Sequence, residues 1–176
     1  MIAKLARALG VGVLLVASTA TAAVAAQSAP ATKEGSSRTV RPLGAADVTY
    51  INIQNKANRD CIFSTAGGEV KADGYCRIYT DSEWYVEPLS DGSRRLVNHA
   101  DGKCAHASGT ANNSFIKMWN CGTYLDQKWD LLLESDGYFR LKNRYSGKCM
   151  VHRTGDTGPV QQYTCGSYTD QRWHIQ

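Results

Sequence analysis

Past its first two dozen residues this chain has no apolar run long enough to span a bilayer. It also shows no block of like charge and no sustained helical period. From Ala45 onward Lys and Arg number 15 and Asp and Glu number 15, so that stretch is neutral. The formal charge of +4 comes from Lys4, Arg7, Lys33, Arg38 and Arg41, offset by Glu34, all ahead of it. A nucleic-acid binder carries its basic patch on the folded domain, so neither nucleic acid nor a membrane span is expected. No C-x2-C pair and no cluster of His is present, which argues against a zinc site. G-x-S-x-G, H-E-x-x-H and a lone Cys with a His partner are absent too. Without such a nucleophile and base, the expectation is a protein that is not an enzyme and needs neither cofactor nor metal.

What the chain does have is one unit written three times. An Asn, a Cys six residues later, a second Cys, and a Trp eight after that recur as Asn55, Cys61, Cys76 and Trp84. The second copy is Asn98, Cys104, Cys121 and Trp129, and the third is Asn143, Cys149, Cys165 and Trp173. Trp-to-Trp separations of 45 and 44 residues set a period that implies one repeated supersecondary unit. The repeats run over about 48–88, 89–133 and 134–176. Residues that break the threefold pattern are the ones free to carry function.

Residues 1–26 read as a cleaved export signal: Lys4 and Arg7, then the apolar run 10–16, then Ala23-Val24-Ala25-Ala26. Residues 27–45 hold two prolines, three serines and few bulky apolar side chains, the composition of a disordered linker or tail. The remainder, 46–176, is long enough for one compact domain. The expected location is secreted, outside the cell. An even cysteine count behind an export signal reads as disulfides. Spacing alone does not choose the pairing, but equivalent units should be closed equivalently. The simplest choice is Cys61 with Cys76, Cys104 with Cys121 and Cys149 with Cys165.

Short alternating runs at 49–53, 84–86, 96–98, 129–133, 138–142, 160–163 and 173–175 predict strands. Asp91-Gly92 and Asp136-Gly137 predict hairpin turns, and Gly102 and Gly147 a second turn ahead of the first cysteine of repeats two and three. Ile53, Leu96 and Leu141 stand two before each Asn, and Val86, Leu131 and Ile175 two after each Trp. Positions two apart share a strand face, so Trp84, Trp129 and Trp173 are expected in a common core with these neighbours.

Asp126-Gln127-Lys128-Trp129 and Asp170-Gln171-Arg172-Trp173 carry a Q-x-W motif at fixed distance from paired cysteines. With the threefold period, residues 48–176 resemble the ricin B-type lectin family. Repeat one departs, with Ser82-Glu83-Trp84. The resemblance implies an all-β fold, a β-trefoil of three pseudo-repeats of about four strands around a pseudo-threefold axis. It also implies a secreted carbohydrate-binding module, of a kind often attached to an enzyme or toxin. In that family a repeat forms a shallow pocket from an Asp two after the first cysteine and an aromatic two before the second. A polar residue four before that cysteine and an Asn-Gln pair ahead of the Trp complete it.

Carried over, repeat two supplies His106, Lys117, Trp119, Asp126 and Gln127. Repeat three supplies Val151, Gln161, Tyr163, Asp170 and Gln171. Repeat one supplies Phe63, Ala72, Gly74, Asp81 and Ser82, without platform or Gln, and is expected to be dead. The Asp after the first cysteine is kept nowhere, so polar contact would fall to Asp126, Asp170, His106 or His152. Trp119 is the tryptophan outside the repeat set and is the favoured platform. Trp119 and Tyr163 could instead cover their disulfides, His106 and Lys117 could be solvated surface, and Asp126 and Asp170 could form turns. The leading expectation is a module that binds saccharide or polysaccharide. The competing one is a degenerate trefoil that binds a protein partner as an inhibitor or toxin-like accessory subunit.

Overall fold

The structure, a computed structural model, describes residues 38–40, 48–76, 79–153 and 157–176. The expected export signal lies outside the described residues. Of the expected linker, Arg38–Val40 pairs antiparallel with Val48–Tyr50, and the rest likewise lies outside them.

Among the described residues the chain is all β, with three short 3-10 turns and no α-helix. The outer strands of the repeats form a barrel. Hairpins Trp84–Pro88 with Arg94–Asn98 and Trp129–Leu133 with Phe139–Asn143 are two of its sides, and Trp173–Ile175 with Ile53–Asn55 closes it. In each pair the repeat Trp faces the next Asn: Trp84 opposite Asn98, Trp129 opposite Asn143, Trp173 opposite Asn55. Two residues along, Val86 meets Leu96, Leu131 meets Leu141 and Ile175 meets Ile53. The seams between sides also repeat, joining Trp84 to Ile51, Trp129 to Arg94 and Trp173 to Phe139. This is a β-trefoil, a closed sheet that leaves no barrel edge free.

The three repeat indoles are fully buried with Ile53, Leu96 and Leu141. Each indole N–H donates to the carbonyl just after the first cysteine of its own repeat: Ile62, Ala105 and Met150, at 3.0, 3.1 and 3.3 Å. A buried tryptophan so anchored satisfies its polar atom as well as filling volume. Val86 and Leu131 pack against this core, but Ile175, expected with them, is half exposed at the end of the barrel.

The recurring Asn ties the repeats together. Asn55, Asn98 and Asn143 are buried, and each side-chain amide donates to a carbonyl in the 3-10 turn of the preceding repeat. The acceptors are Asp170, Asp81 and Asp126, at 2.8, 2.7 and 2.7 Å. Each Asn Oδ1 accepts from the backbone two residues on, at Ala57, Ala100 and Tyr145. Six residues then lead to the first cysteine through a turn that needs left-handed backbone. Gly102 and Gly147 adopt it, and in repeat one Arg59 does, at φ 66°.

The disulfides close within each repeat, Cys61 to Cys76, Cys104 to Cys121 and Cys149 to Cys165. The strands that carry the first cysteines, Cys61–Ser64, Cys104–Ala107 and Cys149–Val151, were not predicted from alternation, nor was Val70–Asp73 or Ile116–Trp119. They carry Ala, Met, Ser and His among their residues, so their two-residue period is weak in hydropathy alone.

Candidate functional site

In repeat two the strands Cys104–Ala107 and Ile116–Trp119 pair antiparallel, with Cys104 opposite Trp119 and His106 opposite Lys117. Ala105, Ala107, Ile116 and Met118 take the inner face and are buried. Alternation therefore turns His106, Lys117 and Trp119 outward together. The 3-10 turn Leu125–Gln127 brings Asp126 Oδ2 to 3.2 Å from His106 Nδ1, which donates to it. The Trp119 indole is 62% exposed, and its ring centre lies 6.4 Å from that of His106. This tryptophan is outside the core and available as a platform.

Two clefts flank His106. One, of about 540 Å³, is bounded by Trp119, Lys117, Lys103 and residues 66–68 of repeat one. The other, of about 500 Å³, is bounded by residues 107–109, Tyr124, Leu125, Asp126 and Tyr145 of repeat three. Both volumes are in the range of small-molecule sites, about 300–1,000 Å³. His106 lines both.

Repeat three brings its residues together differently. The Arg153 guanidinium lies 4.0 Å from the Tyr163 ring centre, and its Nε donates to Asp170 Oδ2 at 3.3 Å. Its Nη1 also donates to Asn113 Oδ1. Gln161 donates its amide to the Asn113 carbonyl at 2.9 Å. The expected platform is thus covered by a cation from its own chain, and the expected polar groups are already engaged. Arg153 was not foreseen, because it lies four past the first cysteine, outside the transferred positions.

Repeat one differs in register from its sequence alignment. Counting back from the second cysteine equates Gly74 with Trp119 and Ala72 with Lys117. The sheet instead places Asp73 opposite Cys61 and Lys71 opposite Phe63, so Asp73 and Lys71 are the true counterparts. One extra residue separates the strand from Cys76. Asp73 is buried and accepts from the Tyr75 backbone N–H at 3.1 Å. Repeat one has no outward ring there.

Three expected contact residues are structural instead. Gln127 and Gln171 are 0% exposed. Gln127 accepts from Gly122 N–H and donates to the Asn120 carbonyl, both at 2.8 Å. Gln171 does the same with Gly166 and Thr164, both at 2.9 Å. Each amide pins the loop around the second cysteine and, being fully buried, presents no surface to a ligand. His152 is buried as well, and its Nε2 lies 2.9 Å from Asp60 Oδ2 of repeat one.

Residues 92–176 match the ricin-type β-trefoil lectin domain family. Over that stretch the trefoil resembles the ricin B type. A comparison with curated proteins found no match. Among solved structures the chain is similar to ThreeFoil, a designed threefold-symmetric protein, at 22% identity and TM-score 0.68, covering 72% of this chain and 96% of that one. It is similar to an exo-β-1,3-galactanase from Clostridium thermocellum at 17% identity and TM-score 0.66, covering 72% of this chain and 29% of that one. The Polyporus squamosus lectin, solved with a sialylated trisaccharide, is 19% identical at TM-score 0.64, with 72% of this chain and 48% of that one covered.

Within this trefoil the Asp of the 3-10 turn has a common duty. Asp81, Asp126 and Asp170 each bury Oδ1 without a partner and each offers its carbonyl to an Asn of the next repeat. Only the second oxygen differs: Asp126 holds His106 and Asp170 holds Arg153. Tyr124 and Tyr145 were missed as site residues. For Tyr145 a signal existed, since its counterparts two past the repeat Asn are Ala57 and Ala100.

Proposed function

We propose that this ricin B-type trefoil is a non-catalytic module that binds carbohydrate chiefly through repeat two. The observation that carries it is the outward Trp119 beside the His106–Asp126 pair, with Lys117 on the same face. An exposed ring offers a sugar the stacking surface for its C–H face. The second ring nitrogen of His106 and the outer oxygen of Asp126 remain to meet its hydroxyls. Because water must be replaced bond for bond, such polar groups decide which sugar is held. Repeat three, with Arg153 over Tyr163, is the weaker site and repeat one contributes none. The three disulfides fit an oxidising, extracellular setting. The export leader at residues 1–26 and the linker at 27–45 complete that reading. Neighbours that include a glycosidase of greater length fit a module that targets chemistry done elsewhere.

The test is retention on insoluble polysaccharides together with a glycan array. The expected result is retention that free sugar elutes, and that Trp119→Ala lowers at least tenfold with no loss of thermal stability. A second reading, a trefoil that binds protein, is favoured by Phe63, His106 and Val151 standing where the family keeps Asp. No retention on any glycan, with wild type and Trp119→Ala capturing one protein equally, would establish that reading and remove the first.

A further inference from the structure

The repeat-two site does not end at Trp119. The two clefts that share His106 open toward different neighbours, one toward residues 66–68 of repeat one, the other toward Tyr145 of repeat three. The strands themselves are stitched across that first boundary, where Met118 N–H donates to the Gly68 carbonyl at 2.8 Å. Across the second, the Asn143 amide holds the Asp126 carbonyl at 2.7 Å and so sets Tyr145 beside the 3-10 turn. A groove therefore crosses from repeat one to repeat three with His106 and Asp126 near its middle.

Each end of this groove has an exposed ring that threefold symmetry does not require. Trp119 is replaced by Asp73 and Tyr163 in the other repeats. Tyr145, 55% exposed, is replaced by Ala57 and Ala100. Tyr124 and Leu125, also exposed, widen the apolar wall on the Tyr145 side. Tyr124 is held in place by Gly122, where a Cβ would stand 2.4 Å from the tyrosine ring, so only glycine lets the ring lie down there. Two separate aromatic surfaces flanking one polar pair suit a ligand that repeats the same amphipathic ring along its length.

We infer that the groove holds an extended oligosaccharide, with one sugar unit against Trp119 and a further unit against Tyr145, and that His106 and Asp126 read the hydroxyls between them. The inference rests on the saccharide-binding reading and adds that the preferred ligand is an internal stretch of a glycan chain, not a single terminal sugar. Ends and branches of a glycan would fill only half of it.

The test uses the full domain and size ladders of one to six units prepared from xylan, galactan, laminarin and cellulose, titrated by calorimetry. Wild type should bind the longer members of one ladder at least tenfold more tightly than its monosaccharide. Tyr145→Ala should bring that ratio close to one. Alanine is the native residue at both counterpart positions, so the fold should tolerate it. Leu133→Ala, at an exposed position outside both clefts, should keep the wild-type ratio. Equal affinity for monosaccharide and hexasaccharide, or a ratio that Tyr145→Ala leaves intact, overturns the extended groove while saccharide binding stands. Failure to bind any ladder, on a protein that melts normally, overturns both.

Discussion

Gln127 and Gln171 carry the motif by which the family resemblance is read, yet neither can touch a ligand without leaving the core. Their work is to saturate two backbone groups beside each second cysteine, on a loop that must turn sharply back toward the barrel. Gln127→Ala removes two part-buried hydrogen bonds, to the Gly122 N–H and the Asn120 carbonyl, so a stability loss of about 1–3 kcal/mol is expected, read by urea denaturation, with sugar affinity lost only in step with unfolding. Arg153 has the opposite character. Partly exposed and stacked on Tyr163, it holds a ring that could otherwise serve as a platform. Arg153→Ala should leave the melting temperature within a few degrees and raise polysaccharide retention by uncovering the second pocket. Unchanged retention would mean Tyr163 is not a platform even when bare.

The hairpin tips show how neighbouring elements are held at the surface. Asp91 and Asp136 each sit in an Asp-Gly turn and grip cations that flank neighbouring strands: Lys128 and Arg144 for the first, Lys56 and Arg172 for the second. The Lys128 ammonium, with the Ser93 hydroxyl, holds the Asp91 carboxyl well below its ordinary range. The Lys56 ammonium lowers the pKa of Asp136. Both carboxyls are depressed in the fold. Their contribution is therefore full above the unfolded-state value near about pH 4 and fades as pH falls through the folded one. Asp136→Asn should lower the melting temperature at pH 7 and make little difference once the pH falls below the depressed range. Added salt should shrink the difference at pH 7, because the pair is at the surface. Equal destabilisation at both pH values would show that the carboxylate charge plays no part.

Across the molecule, the repeats are joined by polar clasps set into an apolar barrel. The Asn amides tie each repeat to the turn before it, and the buried His152–Asp60 pair locks repeat three to repeat one. Taking away His152 leaves the buried Asp60 Oδ2 without this partner, at a cost of about 1–3 kcal/mol. His152→Ala should therefore unfold the whole domain at lower denaturant in one transition, without touching the Trp119 face. Each disulfide closes 15 to 17 residues within one repeat. In the chain-entropy model that is about 3 kcal/mol apiece, stabilisation that comes from the unfolded state and needs no contact between repeats.

The period, the cysteine pairing, the buried indoles and the outward Trp119 were all readable along the chain. Each follows from spacing that a period-two strand or an equivalent repeat must obey. Site membership was less legible. Gln127 faces inward because its turn rolls it under the disulfide loop, and His152 faces a carboxylate 92 residues away. In repeat one, a single extra residue before Cys76 moves the strand register, so that Asp73 stands where counting puts Gly74. Tyr145 joins the repeat-two groove only because Asn143 reaches across a repeat boundary to Asp126. Such placements depend on how repeats pack against one another, and local sequence periodicity carries no record of a neighbour that arrives from another repeat.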